Sequence, residues 1–157
     1  MTSSQEPLPN ASVFKRIAAM FYDSMLLVGV LAAAALIPSI VLTPDQVSHK
    51  TGEVINELDP LLSGLGFQVY LLAIICIFFT AFWSKSGQTL GMQAWKIRIE
   101  NADGSKPSIR QCLIRVVVAI PSLACLGFGY WWQWIDKEGL NWQDRASKTR
   151  VVQIPKQ

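Results

Sequence analysis

The sequence predicts an all-α membrane protein of about three transmembrane helices, the third bent or re-entrant, with a small cytoplasmic connector suited to a short β-ribbon. Three observations carry this. Of 157 residues, 51% are hydrophobic and only 16% charged, with six Trp, too oily for an ordinary soluble domain of this size. Three windows, Ser24 to Pro44, Leu61 to Ser84 and Val116 to Ile135, contain no Asp, Glu, Lys, Arg or His. Each is about as long as a helix crossing ~30 Å of hydrocarbon. The segments between them differ sharply in charge.

The first helix is expected to open at Ser12, an N-cap with Pro9 and Asn10 outside it, and to kink or stop near Pro38. Residues 1–12 form a polar leader and 13–157 a single membrane domain. Lys15 and Arg16 ahead of an apolar run containing Ala32 to Ala35 suggest a cleavable signal. The long leader, the interruption at Asp23 and the apolar stretch beyond the alanines favour an uncleaved anchor. Gly29 and Ala32 to Ala35 are small enough for close helix approach, although alanine is also simply compatible with lipid.

The connector from Asp45 to Pro60 holds Asp45, Glu53, Glu57 and Asp59 against Lys50. The next holds Lys85, Lys96, Arg98, Lys106, Arg110 and Arg115. Lys and Arg excess marks the cytoplasmic side, so the N-terminus and second connector are expected inside. The expected location is the cytoplasmic (inner) membrane, crossed more than once.

The second helix should begin near Gly64 and Gly66 and end between Trp83 and Ser86, with aromatic rings at the interface. GQTLGMQAW then reads as a short amphipathic turn or helix, KIRIE as a strand, NADG as a turn, and Ser108 with Gln111 as a capping box. A phosphate loop is excluded, because Gly91, Met92 and Gln93 stand where the lysine motif is needed. In the third segment, Pro121 with Gly127 and Gly129 offers a bend that returns the basic tail to the connector's side; a single crossing is the simpler alternative. TRVVQ, Thr149 to Gln153, would then pair with Lys96 to Glu100. Tyr130 to Trp134 reads as an interfacial aromatic belt.

No catalytic triad, dinucleotide fingerprint or metal-ligand spacing is present, so neither an enzyme nor a cofactor is expected. His49 reads as solvated, and Cys76, Cys112 and Cys125 as small hydrophobes. The basic residues flank membrane segments, so the lipid bilayer, not nucleic acid, is the expected partner.

Asp23 is the anomaly. With hydrocarbon beginning near Ile17, it lies about 9 Å deeper at 1.5 Å per residue, beyond the reach of its short side chain to water. Arg16 can snorkel outward; Asp23 must face protein or water and find a cation or lose its charge. Arg115 is the expected partner, with Asp144 a second member of one charged cluster of Arg16, Asp23, Arg115 and Asp144.

Arg16, Asp23 after an IAAMFY spacer, GQTLGMQAWKIRIENADG, Arg115 and WQDRASKTRVV together resemble the RDD family of small integral membrane proteins, named for one arginine and two aspartates. Carried over, these are Arg16, Asp23 and Asp144. The chain departs from the family pattern at Gln143, where a histidine often precedes the second aspartate. The resemblance implies a small membrane protein and, as suggested for some members, a part in cation or proton transport. The residues leave two readings of the cluster open, a proton-titrating or cation-coordinating site and a fixed ion-pair lock. Correspondingly, the chain is expected to be a component of cation or proton transport or a non-transporting structural or assembly subunit. Three short spans enclose little of a pathway, so transport would need an oligomer or partner membrane protein.

Overall fold

The computed structural model describes residues 8–42 and 64–155; the acidic first connector and His49 lie outside them. In chain order the elements are α1 (Val13–Leu42), α2 (Leu65–Ser86), α3 (Leu90–Ala94), β1 (Ile97–Asn101), α4 (Ile109–Ala124), α5 (Phe128–Trp131), a 3-10 turn (Trp132–Trp134), α6 (Trp142–Ser147) and β2 (Thr149–Gln153). They divide into two compact units, Ser24–Ile77 and a second made of Met1–Asp23 with Phe78–Gln157.

The Ser24–Ile77 unit contains most of the apolar length of α1 and α2. Both helices are long and apolar enough to cross a membrane. In hydrocarbon a helix satisfies every backbone N–H and C=O within itself, so such runs adopt it. Their large side chains point outward: Met25, Val28, Leu36, Ile37, Leu65, Val69 and Ile77 are all exposed, a surface that suits lipid. Tyr70 donates its hydroxyl to the Ala34 carbonyl at 3.2 Å. Among the described residues nothing comes within 4 Å of where a Cβ on Gly29 would sit, so that glycine is not used for packing against any of them. α1 runs on through Pro38 to Leu42 instead of stopping there.

The other unit is built on the ribbon. β1 and β2 pair antiparallel with Ile99 opposite Val151 and Ile97 opposite Gln153. A two-stranded ribbon alone is marginal in water, and here both outer edges are covered. The Ile99 N–H donates to the Gly87 carbonyl at 2.8 Å on one edge. On the other, the Ala11 N–H donates to Val151 and the Gln153 N–H to Pro9, at 2.8 and 2.9 Å. Gly87 is required: its φ is +72°, and a Cβ there would lie 2.7 Å from the Ile99 carbonyl oxygen. Ile97, Ile99 and Val151 bury one face with Ala11, Ala19 and Met92, and Trp83 packs against them.

The third apolar segment does not cross as one straight helix. α4 begins at Ser108, whose side chain and that of Gln111 complete the expected capping box. It continues seven residues earlier than the uncharged window implied, taking Arg115 inside the helix, and passes through Pro121 to Ala124. The break falls at Leu126 and Gly127, with φ of +55° and +77°. There the axis turns by 108° into α5 and the 3-10 turn. Left-handed residues end the helix by redirecting its free carbonyls, and glycine adopts this conformation without a Cβ penalty. Gly129 serves close packing instead: a side chain there would strike Ser122 and lie 3.1 Å from the Trp142 ring. α6 then runs back along α4, and β2 joins β1. Tail and second connector therefore meet in one ribbon.

The ribbon register is directly checkable. Because the Ile99 N–H and the Val151 carbonyl both bond outward, these two residues form a non-hydrogen-bonded pair, whose Cα atoms lie about 4.5 Å apart. In a background lacking the native cysteines, Ile99→Cys with Val151→Cys should cross-link on mild oxidation, whereas Ile97→Cys with Val151→Cys, offset by two residues, should not. The reverse pattern on gel mobility would refute the register.

Candidate functional site

Asp144 is the centre of the charged cluster. Asn141 and Asp144 form a reciprocal capping box at the start of α6: the Asp144 N–H donates to Asn141 Oδ1 at 2.7 Å, and the Asn141 N–H donates to Asp144 Oδ2 at 3.3 Å. The box turns a fully buried carboxylate inward. Arg16, from the first turn of α1, reaches Oδ2 with Nη1 at 2.5 Å. Arg115, from the middle of α4, reaches Oδ1 with its own Nη1 at 2.8 Å. Both arginines are only 5% exposed, so this is a buried Arg–Asp–Arg triad.

The guanidinium groups also bind the backbone and hydroxyls around them. Arg16 donates to the carbonyls of Ala11 and Val151, at 3.2 and 3.3 Å, and so ties α1 to the outer edge of β2. Arg115 donates to Thr149 Oγ1 at 2.5 Å and to Ser147 Oγ at 3.4 Å, and its charge lies 5.7 Å from the centre of the Trp83 ring. Burial opposes ionisation of Asp144, but the adjacent Arg16 and Arg115 charges and their hydrogen bonds outweigh it and hold its carboxyl below the usual 3.8.

Asp23 is elsewhere. Arg16 and Arg115 converge on Asp144, while Asp23, seven residues beyond Arg16 on α1, meets the start of α3. Its Oδ2 accepts from the Thr89 hydroxyl, and its Oδ1 accepts from the Gly91 N–H at 2.9 Å. Thr89 is also the N-cap of α3, accepting from the Met92 N–H at 3.3 Å. Only glycine fits at 91, since a Cβ would strike the Ala19 carbonyl and sit 2.9 Å from the Asp23 carboxyl. The expectation of one four-member cluster with Arg115 opposite Asp23 is therefore corrected. Two turns of helix separate the two α1 side chains, and it is Asp144 that both arginines reach.

Several members of the site carry little signal in the sequence. Glu100 reads as the exposed end of an alternating strand, yet it is 3% exposed and accepts from Arg98 at 2.9 Å and from its cross-strand partner Arg150 at 2.8 Å. Thr89 and Gly91 are missed because their partner lies 66 and 68 residues away. The capping box of Asn141 and Asp144 was missed as well, although Asn three residues ahead of an acidic side chain is the signal that could have found the turn that aims Asp144 inward.

The separation of the two aspartates has an energetic consequence. Asp144→Asn leaves two buried guanidinium groups uncompensated and should destabilise by about 3–5 kcal/mol; Asp23→Asn, which loses charge-assisted hydrogen bonds only, should cost about 1–3 kcal/mol. Combining Arg115→Gln with Asp144→Asn should fall short of the sum of the singles by 0.5 kcal/mol or more, on the order seen for direct partners. Combining Arg115→Gln with Asp23→Asn should add. Denaturant unfolding in detergent distinguishes these, and coupling of Asp23 as strong as that of Asp144 would contradict the two-site geometry.

The pH dependence has a defined sign. A carboxyl whose folded pKa lies below its unfolded value stabilises the fold above the unfolded pKa and loses that contribution as pH falls through the folded one. Asp144 should thus stabilise fully near neutrality and progressively less below about pH 4. Melting temperatures measured from pH 6 to pH 3 should fall more steeply for the native chain than for Asp144→Asn; parallel curves would show that Asp144 does not carry the acid sensitivity.

The charged residues of both sites fall within one family signature. The family model described as the RDD family matches residues 10–148, a span that includes Arg16, Asp23, Thr89, Gly91, Arg115 and Asp144. No curated protein and no solved structure matches the chain. The family match covers most of the 157 residues, and with it the apolar helices and the arginine and aspartate positions. The chain belongs to the RDD family of small membrane proteins.

Proposed function

We propose that this chain is an integral component of cation or proton transport across a bacterial-type cytoplasmic membrane, with Asp23 as the group that takes up the proton or cation. The observation that carries this reading is the difference between its two aspartates. Asp144 is held by two arginines, whereas Asp23, 4% exposed in an apolar helix, is held by a hydroxyl and a backbone N–H, with no cationic side chain bonded to it among the described residues. A carboxylate so placed is compensated by binding a proton or a metal cation, and intramembrane carboxylates of this kind mark ion paths. The Asp23 and Thr89 oxygens are hard donors suited to either. Asp144 is the fixed lock.

The orientation follows from charge. The pairing of the tail with the basic second connector, and the tail's own Lys137, Arg145, Lys148 and Arg150, support a cytoplasmic N-terminus, connector and tail together. Two or three spans line little of a path, so the working form would be a homo-oligomer or a complex with another membrane protein. The second reading is a non-transporting structural or assembly subunit without enzymatic activity, and the triad, a fixed ion-pair lock, favours it.

Reconstituted vesicles separate the two. Under imposed sodium, lithium or potassium gradients, the full chain should support a pH-dependent cation or proton flux, and Asp23→Asn should lower it at least tenfold while the protein still folds and inserts. No flux above empty vesicles, or an undiminished flux in the variant, would leave the assembly reading standing in place of the transport one.

A further inference from the structure

The unit around the triad is apolar outside and polar inside. On α4, Ile109, Leu113, Val117, Ile120 and Leu123 are exposed, while Cys112, Arg115, Val116 and Ser122 are buried. The buried face looks onto α6, where Asn141, Gln143, Asp144 and Ser147 are each at most 3% exposed. Most polar atoms along this seam are paired, but several in one neighbourhood are not. Among the described residues, Arg115 Nε, Trp83 Nε1 and both amide atoms of Gln143 are buried with no hydrogen-bond partner.

Three facts place the residues that carry these atoms in the neighbourhood of Arg115. The Trp83 ring centre lies 5.7 Å from Arg115 Cζ. Gln143 directly precedes Asp144, which holds Arg115 at 2.8 Å. Ser147, one turn after Gln143 and therefore on the same face of α6, donates to the Gln143 carbonyl at 2.6 Å and lies 3.4 Å from Arg115 Nη1. That face is turned toward Arg115. The charge is also unbalanced: two guanidinium groups share one carboxylate, and the nearest alternatives are committed elsewhere, Asp23 to Thr89 and Gly91, Glu100 to Arg98 and Arg150. A buried net positive charge and unpaired N–H donors beside it both call for the same thing, an acceptor bearing negative charge.

We propose that Arg115 Nε–H, the Trp83 indole N–H and the Gln143 amide NH2 form a buried site for a small monovalent anion of the halide class. The three donors are neutral or cationic, and no carboxylate of the described residues competes for them. Halide size is indicated because the donors are nearly closed off from solvent, which excludes an organic carboxylate or a lipid phosphate group. Bound there, the anion neutralises the triad and bridges α2, α4 and α6. The site is distinct from Asp23, so it stands or falls independently of the transport reading.

The test is the thermal stability of the full detergent-solubilised chain at one sodium concentration and pH 7, with chloride or bromide against gluconate. Occupancy well above Kd should raise Tm by about 3 °C or more in the halides. Gln143→Met and Trp83→Phe each remove donors while keeping an apolar body of similar size, and each should reduce the halide response by at least half. Lys137→Gln, an exposed cation outside the seam, should retain it in full. A native Tm indifferent to the anion would overturn the proposal and assign the unpaired atoms to neutral water; Gln143→Met would then be at least as stable as the native chain in every salt. A halide response lost in Lys137→Gln but intact in both seam variants would overturn it equally, by placing the anion at the surface.

Discussion

The Asp144 carboxylate receiving two arginines is the constraint on which the rest of the ribbon unit depends. Its two oxygens take one guanidinium each, at 2.5 and 2.8 Å, and so fix the first turn of α1 and the middle of α4 against the start of α6. Arg16 passes the constraint on through the Ala11 and Val151 carbonyls to the outer edge of β2. Arg115 passes it on through Thr149, the first residue of that strand. A buried ion pair is not by itself strong support for stability, because desolvation offsets much of the attraction. What it does here is register: three segments far apart in sequence meet in one arrangement, since any other leaves a buried charge without a partner.

The second aspartate joins the same unit by a different chemistry. Asp23 binds the start of α3 through Thr89 and Gly91, which places the turn after α2 directly against α1. Gly91 allows this by having no side chain where the Ala19 carbonyl passes. The ribbon in turn depends on these attachments. Residues Pro9 to Ala11 cover one edge and Gly87 the other, so a pairing too small to persist alone is held between segments anchored by the two aspartates. One carboxylate is held by two arginines and ties three segments together, while the other is bonded by a hydroxyl and a backbone N–H.

Polar burial also explains the apolar exterior. A soluble domain of this size would bury its leucines and isoleucines, yet here α4 shows them to the surroundings and turns Arg115 and Ser122 inward. Lipid as solvent reverses the usual preference on the outer face. The bend at Leu126 and Gly127 then turns the segment aside, with Gln133 donating to the Ala11 carbonyl at 2.8 Å.

The sequence alone determined the membrane helices, the Ser108 capping box, the strand pair and the identity of the charged residues, because each rests on local chemistry: uncharged length, a side chain three residues from a free N–H, or alternation of β-branched residues. It also indicated that the third segment bends. What only the tertiary structure decided is which charge meets which. Arg115 was equally available to Asp23 and Asp144 by charge and side of the membrane. The choice went to Asp144 because α6 runs back along α4 and aims that carboxylate between the two arginines, while Asp23, two turns further along α1, faces the α3 turn. Pairings across 66 to 128 residues depend on how the chain returns on itself, and no spacing within a sequence encodes that directly.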